Sequence, residues 1–166
     1  FLDPDGPLYA RLTELWPTYA DKIAKDILEG VAMGKNPRVI AAGLREDMGI
    51  ALSDALRQTR TAQLYAYREA SRANYAANAD IISHWQWLAE LDDVTCPVCI
   101  AENGSIHEMD EVLDSHWNCR CTMIPVIIGV PNDVTPGADW FNAQGEEAQR
   151  KVLGNEKYEA YKDGKF

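Results

Sequence analysis

The sequence predicts an α+β fold: a helical N-terminal half with a long central helix, then a small antiparallel sheet, and short C-terminal helices. Three observations carry this. Apolar residues recur at steps of mostly three or four through the first half, which is the helical period. The period drops to two after Ile82, where His84-Trp85-Gln86-Trp87-Leu88-Ala89-Glu90-Leu91 alternates as a strand does. All four cysteines then fall within 26 residues as two close pairs. That crowding points to one covalent or metal-bound staple rather than to scattered core residues.

Leu8, Leu12, Leu15, Trp16, Tyr19, Ile23, Ile27 and Val31 form one apolar stripe on the first helical stretch. Pro17 lies inside it and removes a helical donor, so a kink or split is expected there. Gly30 and Gly34 loosen the end, and Asn36-Pro37 restarts the chain with proline at the first helical position. A short helix over 37–47 follows, broken by Met48-Gly49. A long helix is expected over 53–78, capped by Ser53 or Asp54. Leu56, Leu64, Tyr67 and Tyr75 are its larger apolar groups, and the alanines between them favour helix and close packing. Its Arg57, Arg60, Arg68 and Arg72 read either as a solvated face or as a basic strip for an acidic partner. Beyond the first strand, Asn103-Gly104 is a turn signal suited to joining two short strands. Residues 121–128 are rich in β-branched types and form a further strand, after which Pro131, Pro136 and Gly137 mark a linker. Glu146 to Leu153 is a short helix with Gly154 as its C-cap. Asn155 then caps a second, packed through Tyr158 and Tyr161.

The chain has 166 residues, 46% apolar and 25% charged, which excludes disordered and collagen-like classes. Its net charge of −10 is uneven. Residues 1–90 carry 10 basic and 12 acidic groups, whereas residues 91–166 carry 6 and 14. An acidic second half argues against broad phosphate contact, which needs clustered Lys and Arg. A basic protein partner stays compatible. The longest apolar run, Met123 to Val130, is interrupted by Pro125 and Gly129. It falls far short of the roughly 18 residues that span a bilayer, so no membrane partner is expected. There is no signal-peptide layout. The chain begins at Phe1 without an initiator Met, so both ends are treated as arbitrary.

The cysteines are spaced Cys96-x2-Cys99, nineteen residues, Cys119-x-Cys121. A Cys-x2-Cys turn offers one metal ion two thiolates, and zinc frameworks place a second pair about 15–20 residues later. On extended backbone, positions i and i+2 face one side. Cys119 and Cys121 then converge while Arg120 points away. His116, three residues before Cys119, makes five candidates for four tetrahedral positions. A four-cysteine site with His116 close by and a site of three cysteines plus His116 both stay open. So do disulfides, in oxidising surroundings, and free thiols. A zinc here would be structural, because four thiolates leave no position for the water a catalytic zinc activates. The zinc-deaminase pattern fails: Thr95 replaces the proline before Cys96, and His107 lies downstream with Met109 where glutamate is needed. His84 and His107 are read as structural. No Gly-rich phosphate loop and no known local Ser–His–Asp or Cys–His pattern is present.

These residues carry a resemblance. The stretch Trp87-Leu88-Ala89-Glu90-Leu91-Asp92-Asp93-Val94-Thr95-Cys96-Pro97-Val98-Cys99 resembles the core motif of phage head-morphogenesis proteins. These are minor capsid proteins similar to the phage Mu F protein. The family's Gly turn is matched by Asn103-Gly104, and its closing His-Pro-Asn-Cys-Arg-Cys by His116-Trp117-Asn118-Cys119-Arg120-Cys121, with Pro125 following. Arg60-Thr61-Ala62-Gln63, Arg72-Ala73-Asn74 and the tail from Gln149 to Gly164 are similar to further family segments. Trp117 and Ala62 depart from the usual Pro and Glu, and neither is a candidate ligand.

The resemblance covers roughly residues 37–166 and implies a division into a helical N-terminal segment, 1–36, and a minor head protein domain, 37–166. A zinc knuckle over 96–121 would staple the sheet. It implies a non-enzymatic minor capsid protein of a tailed phage or prophage, acting in head assembly and DNA packaging or delivery. The implied partners are the portal protein and, second, the major capsid protein. The implied location is the virion, at the head interior or portal vertex, and the host cytoplasm during assembly. Two other readings compete. A zinc-dependent nuclease or hydrolase would need an open coordination position. A nucleic-acid-binding zinc module would use the four arginines with Tyr65, Tyr67 and Tyr75, which places any weak DNA contact on the helical half.

Overall fold

A computed structural model describes residues 9, 10, 13, 14, 17–49 and 52–165. Leu8, Leu12, Leu15 and Trp16 of the first apolar stripe lie outside the described residues. By its contacts the chain divides into two compact units, residues 1–71 with 114–119 and residues 72–113 with 120–166.

The first unit is helical. Residues 17–19 form a turn, where Pro17 interrupts the stripe, and α1 (Ala20–Ala32) begins behind it. Helix α2 (Pro37–Met48) starts at Pro37, with the Asn36 side chain accepting the Arg38 N–H at 2.9 Å, and stops at Gly49 in the left-handed conformation. Helix α3 (Leu52–Ala77) is the long central helix. Since Leu52 is already helical, Ser53 and Asp54 lie in the first turn rather than at the cap. Ile23 and Ile27 of α1, Ile40, Ala41 and Leu44 of α2, and Ala55 and Ala62 of α3 make one core. The α1–α2 approach needs Gly30, because a Cβ there would stand 2.4 Å from Ile40 Cδ1.

The arginines of α3 are not all solvated, as a charged face in contact with water would be. Arg57 and Arg60 are exposed, Arg72 is half-buried, and Arg68 is only 5% exposed. Arg57 and Arg68 are eleven residues apart, about three turns, so the helix aims them alike. Residues 115–119 lie over the Arg68 stretch and cover it.

The second unit holds a three-stranded antiparallel sheet in the order β2-β1-β3. The strands are β1 (Ile82–Leu88), β2 (Ile106–His107) and β3 (Thr122–Ile127). Trp85 of β1 pairs with His107 on one side and Pro125 on the other. Trp85 and Trp87 share a face as the alternation predicts, with ring centroids 6.3 Å apart, and both are buried. The outer edge of β3 is blunted. Pro125 has no N–H, its carbonyl accepts from Asn132, and the Met123 carbonyl accepts from Tyr75.

Three local expectations change. Residues 97–102 form a short helix, α4 (Pro97–Glu102), because Pro97 at the first helical position favours a helical turn. Asn103-Gly104 therefore joins a helix to β2 rather than two strands. The strand ends at Leu88, since the next N–H, on Ala89, is taken by the Asn103 side chain. Finally, Gly137 starts a helix, α5 (Gly137–Asn142), inside the expected linker. Helices α6 (Glu146–Leu153) and α7 (Asn155–Lys162) close the unit. Gly154 separates them at φ +76°, and Asn155 is the first residue of α7 rather than its cap. Tyr158 is buried, and Tyr161 meets Phe141 edge-on at 5.3 Å.

Candidate metal centre

The Cys96-x2-Cys99 turn is built by the start of α4. Cys96 precedes the helix in extended conformation, and its Sγ accepts the Cys99 N–H at 3.4 Å. A thiolate that binds metal accepts such a bond well, because charge strengthens it. Cys121 lies directly before β3. Cys119 and Cys121 are buried while Arg120 between them is exposed, the alternation expected of extended backbone.

The structure brings all five predicted ligands into two overlapping groups. Ligand atoms of Cys96, Cys99 and His116 lie within 4.8 Å of one another, and so do those of Cys99, Cys119 and Cys121. Cys99 belongs to both. Cys99, Cys119 and Cys121 are buried, Cys96 is half-buried and His116 is exposed. These groups can hold a metal ion. The donor set suits a thiophilic, tetrahedral ion: soft sulfur ligands with one imidazole. The His116 ring fits as well. Its Nδ1 lies 2.8 Å from the Trp117 carbonyl, which only accepts, so the neutral ring that donates there from Nδ1 has Nε2 as its ligating nitrogen. Metal-bound histidines are commonly oriented by a second-ring hydrogen bond of this kind.

The loop that carries His116 and Cys119 is anchored to α3. The Asn118 N–H donates to Thr61 Oγ1 at 2.9 Å, and Asn118 has φ +63°. Arg68 donates to Ser115 Oγ at 2.8 Å and to the Cys119 carbonyl at 3.4 Å. A second anchor lies ahead of Cys96. Arg120 donates through both terminal nitrogens to the two oxygens of Asp92, each at 2.7 Å, and to Thr95 Oγ1 at 3.0 Å. Sequence reading isolated the cysteines and His116 but not these anchors. Asp92, Thr95 and Arg120 stand inside the stretches that carry the family resemblance but have no role assigned there, and Arg68 and Ser115 carry no local signal.

His84 and His107 lie outside both groups. His84 faces Glu108 at 3.4 Å. His107 stacks on Trp85 with centroids 4.2 Å apart and links Ser105 to Glu111, at 2.8 Å on each ring nitrogen. A Ser–His–Glu chain of this kind was not visible in sequence. The two backbone N–H groups beside the Ser105 hydroxyl are already occupied, so neither offers a donor to an oxyanion. The Ser105 N–H is bonded to the Glu102 carbonyl and the Gly104 N–H to the Trp87 carbonyl. The Ser105 hydroxyl also lies 2.7 Å from the Glu102 carbonyl. The chain of bonds ties the end of α4 to β2.

Fold and site together define a small α+β protein in which four cysteines and a histidine form two metal-competent groups that share Cys99. The chain belongs to the phage Mu protein F like family, whose model matches residues 21–124, more than half of its length. No curated protein and no solved structure matches it. Family membership suggests a phage head-morphogenesis protein with a non-enzymatic role, which interacts with other head proteins and acts in the virion or its assembly. Among the described residues, no helix is long and apolar enough to cross a membrane.

Proposed function

We propose that this chain is a structural minor capsid protein of a tailed phage or prophage, associated with the portal and acting in head assembly and DNA packaging or delivery. Its cysteine cluster binds one structural zinc ion. The observation that carries this reading is the gathering of Cys96, Cys99, Cys119, Cys121 and His116 in a chain of the Mu F-like family. Cys99, Cys119 and Cys121 supply three buried thiolates, and Cys96 or His116 completes the tetrahedron. Filled by protein ligands, such an ion activates no water; it contributes folding energy instead.

Two measurements test this. Elemental analysis of purified protein should return about one zinc per chain, with thiols that react only after chelation or denaturation. Protein without metal and with freely reactive thiols would remove the zinc. For the assembly role, the chain should be found in purified virions and should co-purify with portal protein. Absence from virions together with no affinity for portal would sink that role.

A further inference from the structure

We infer that Asp92, Thr95 and Arg120 form a clasp that positions the metal centre before any metal arrives, an inference that rests on the metal-site reading above. The Arg120 guanidinium meets the Asp92 carboxylate two-pronged, with both contacts at 2.7 Å, the geometry in which a planar fork fixes orientation as well as distance. It also reaches Thr95 Oγ1 at 3.0 Å, and Thr95 is 2.7 Å from Asp92 Oδ1. The Val94 N–H donates to Asp92 Oδ1, which closes the 92–95 turn on itself. Thr95 is joined covalently to Cys96, and Arg120 to Cys121. The clasp therefore fixes the start of the Cys96-x2-Cys99 turn against the residue that leads into β3. Cys99 and Cys121, the buried thiols held this way, stand within 4.8 Å of each other.

Arg120 points away from the thiols and is no ligand; it is a positioning residue. Two segments that each carry cysteines would otherwise have to be brought together by the ion alone, and the entropy of that ordering would be subtracted from metal affinity. Lysine cannot replace arginine here, because a point charge cannot make the paired contact.

The test uses the whole chain and two readouts. The first is zinc affinity by chelator competition for wild type, Arg120→Met, Arg120→Lys and the charge swap Asp92→Arg with Arg120→Asp. The second is metal-free: mass-spectrometric mapping of Cys99–Cys121 cross-linking by a short bifunctional thiol reagent. Circular dichroism confirms that each variant keeps its helices. Arg120→Met is expected to bind zinc about 10- to 100-fold more weakly, the usual cost of losing an outer partner. It should also lose the cross-link in metal-free protein. Arg120→Lys should fall short of wild type, and the swap should recover part of both readouts. Wild-type affinity and cross-linking in Arg120→Met, or no cross-link in metal-free wild type, would overturn the clasp. A wild type that binds no zinc would overturn the metal centre instead, and the cross-linking arm would still decide the clasp.

Discussion

The Asn103 side chain, 4% exposed, accepts the Ala89 N–H and donates to the Thr135 carbonyl, both at 2.7 Å, while its backbone carbonyl accepts from Gly137. One amide thus ends β1 and holds the segment before α5. Replacing Asn103 by Ala strands the buried Ala89 N–H, which costs about 1–3 kcal/mol when left unmade, whereas the carbonyl of exposed Thr135 can turn to water. Urea melts of Asn103→Ala should show a loss in this range or above, with β1 and the 131–136 segment opening first in hydrogen exchange. Asp92 is a different kind of residue, since its bonds matter through charge. The Arg120 guanidinium, and after it the Thr95 hydroxyl, hold the Asp92 carboxyl well below its ordinary value of 3.8. A depressed folded-state value stabilises the fold above the unfolded value, and the contribution is lost as pH falls. Asp92→Asn should therefore be less stable than wild type at neutral pH. The gap should narrow as pH drops below the ordinary carboxylate range, as paired urea melts across acid pH would show. A gap that stays constant with pH would mean that the clasp contributes no charge-dependent stability.

Among the described glycines, Gly137 marks the closest approach, where α5 meets α4. A Cβ at Gly137 would stand 1.6 Å from the Ile100 carbonyl oxygen, which is backbone and cannot swing aside. Gly137→Ala must push the two helices apart, and overpacking of this sort costs about 1–3 kcal/mol or more. A lowered Tm with the zinc content unchanged is the expected result; loss of zinc as well would mean that α4 carries the displacement to Cys99. Helix α3 has a second role beyond its place in the helical core. Through Thr61 and Arg68 it fixes the loop that presents His116 and Cys119. Buried Arg68 therefore reads as an internal brace rather than as part of a basic surface, and this leaves Arg57 and Arg60 as the exposed cations of the original four.

For the whole molecule, the acidic second half and the cysteine cluster belong together. Four thiolates around one divalent zinc would add a net −2 to a chain already at −10, so the site itself deepens the acidity that disfavours DNA. The sheet is small, three strands of which one has two residues, and such a sheet gains much from a staple. Chelation should lower Tm and abolish the near-ultraviolet signal of the buried Trp85 and Trp87, and added zinc should restore both. An unchanged melt after verified metal removal would show that the cluster does not support the fold.

Much of this was legible in the sequence because it is local. The helical period placed α1 and the two-residue period placed β1, while Asn36-Pro37 and Met48-Gly49 bounded α2, the alanines marked α3 and β-branched residues marked β3, all of them properties of the segment itself. The spacing of Cys96, Cys99, His116, Cys119 and Cys121 named the ligand candidates for a similar reason: a tetrahedral ion accepts only a few chain spacings. What the sequence could not show depends on partners distant along the chain. Arg68 looks like any surface arginine until Ser115 and the Cys119 carbonyl are brought over it. Asp92 and Arg120 are 28 residues apart and meet only in the folded sheet unit. Residues 97–102 show only a Cys-x2-Cys turn in sequence; the helix appears once Pro97 starts a helical turn and Gly137 lets α5 close on it. By itself the sequence determined the fold class and the five ligand candidates, through periodicity and spacing, and it pointed to the family through the resemblance of its motif stretches. Only the tertiary structure decided which polar groups hold those candidates in place, because hydrogen-bond partners are chosen by folding and not by neighbourhood in the chain.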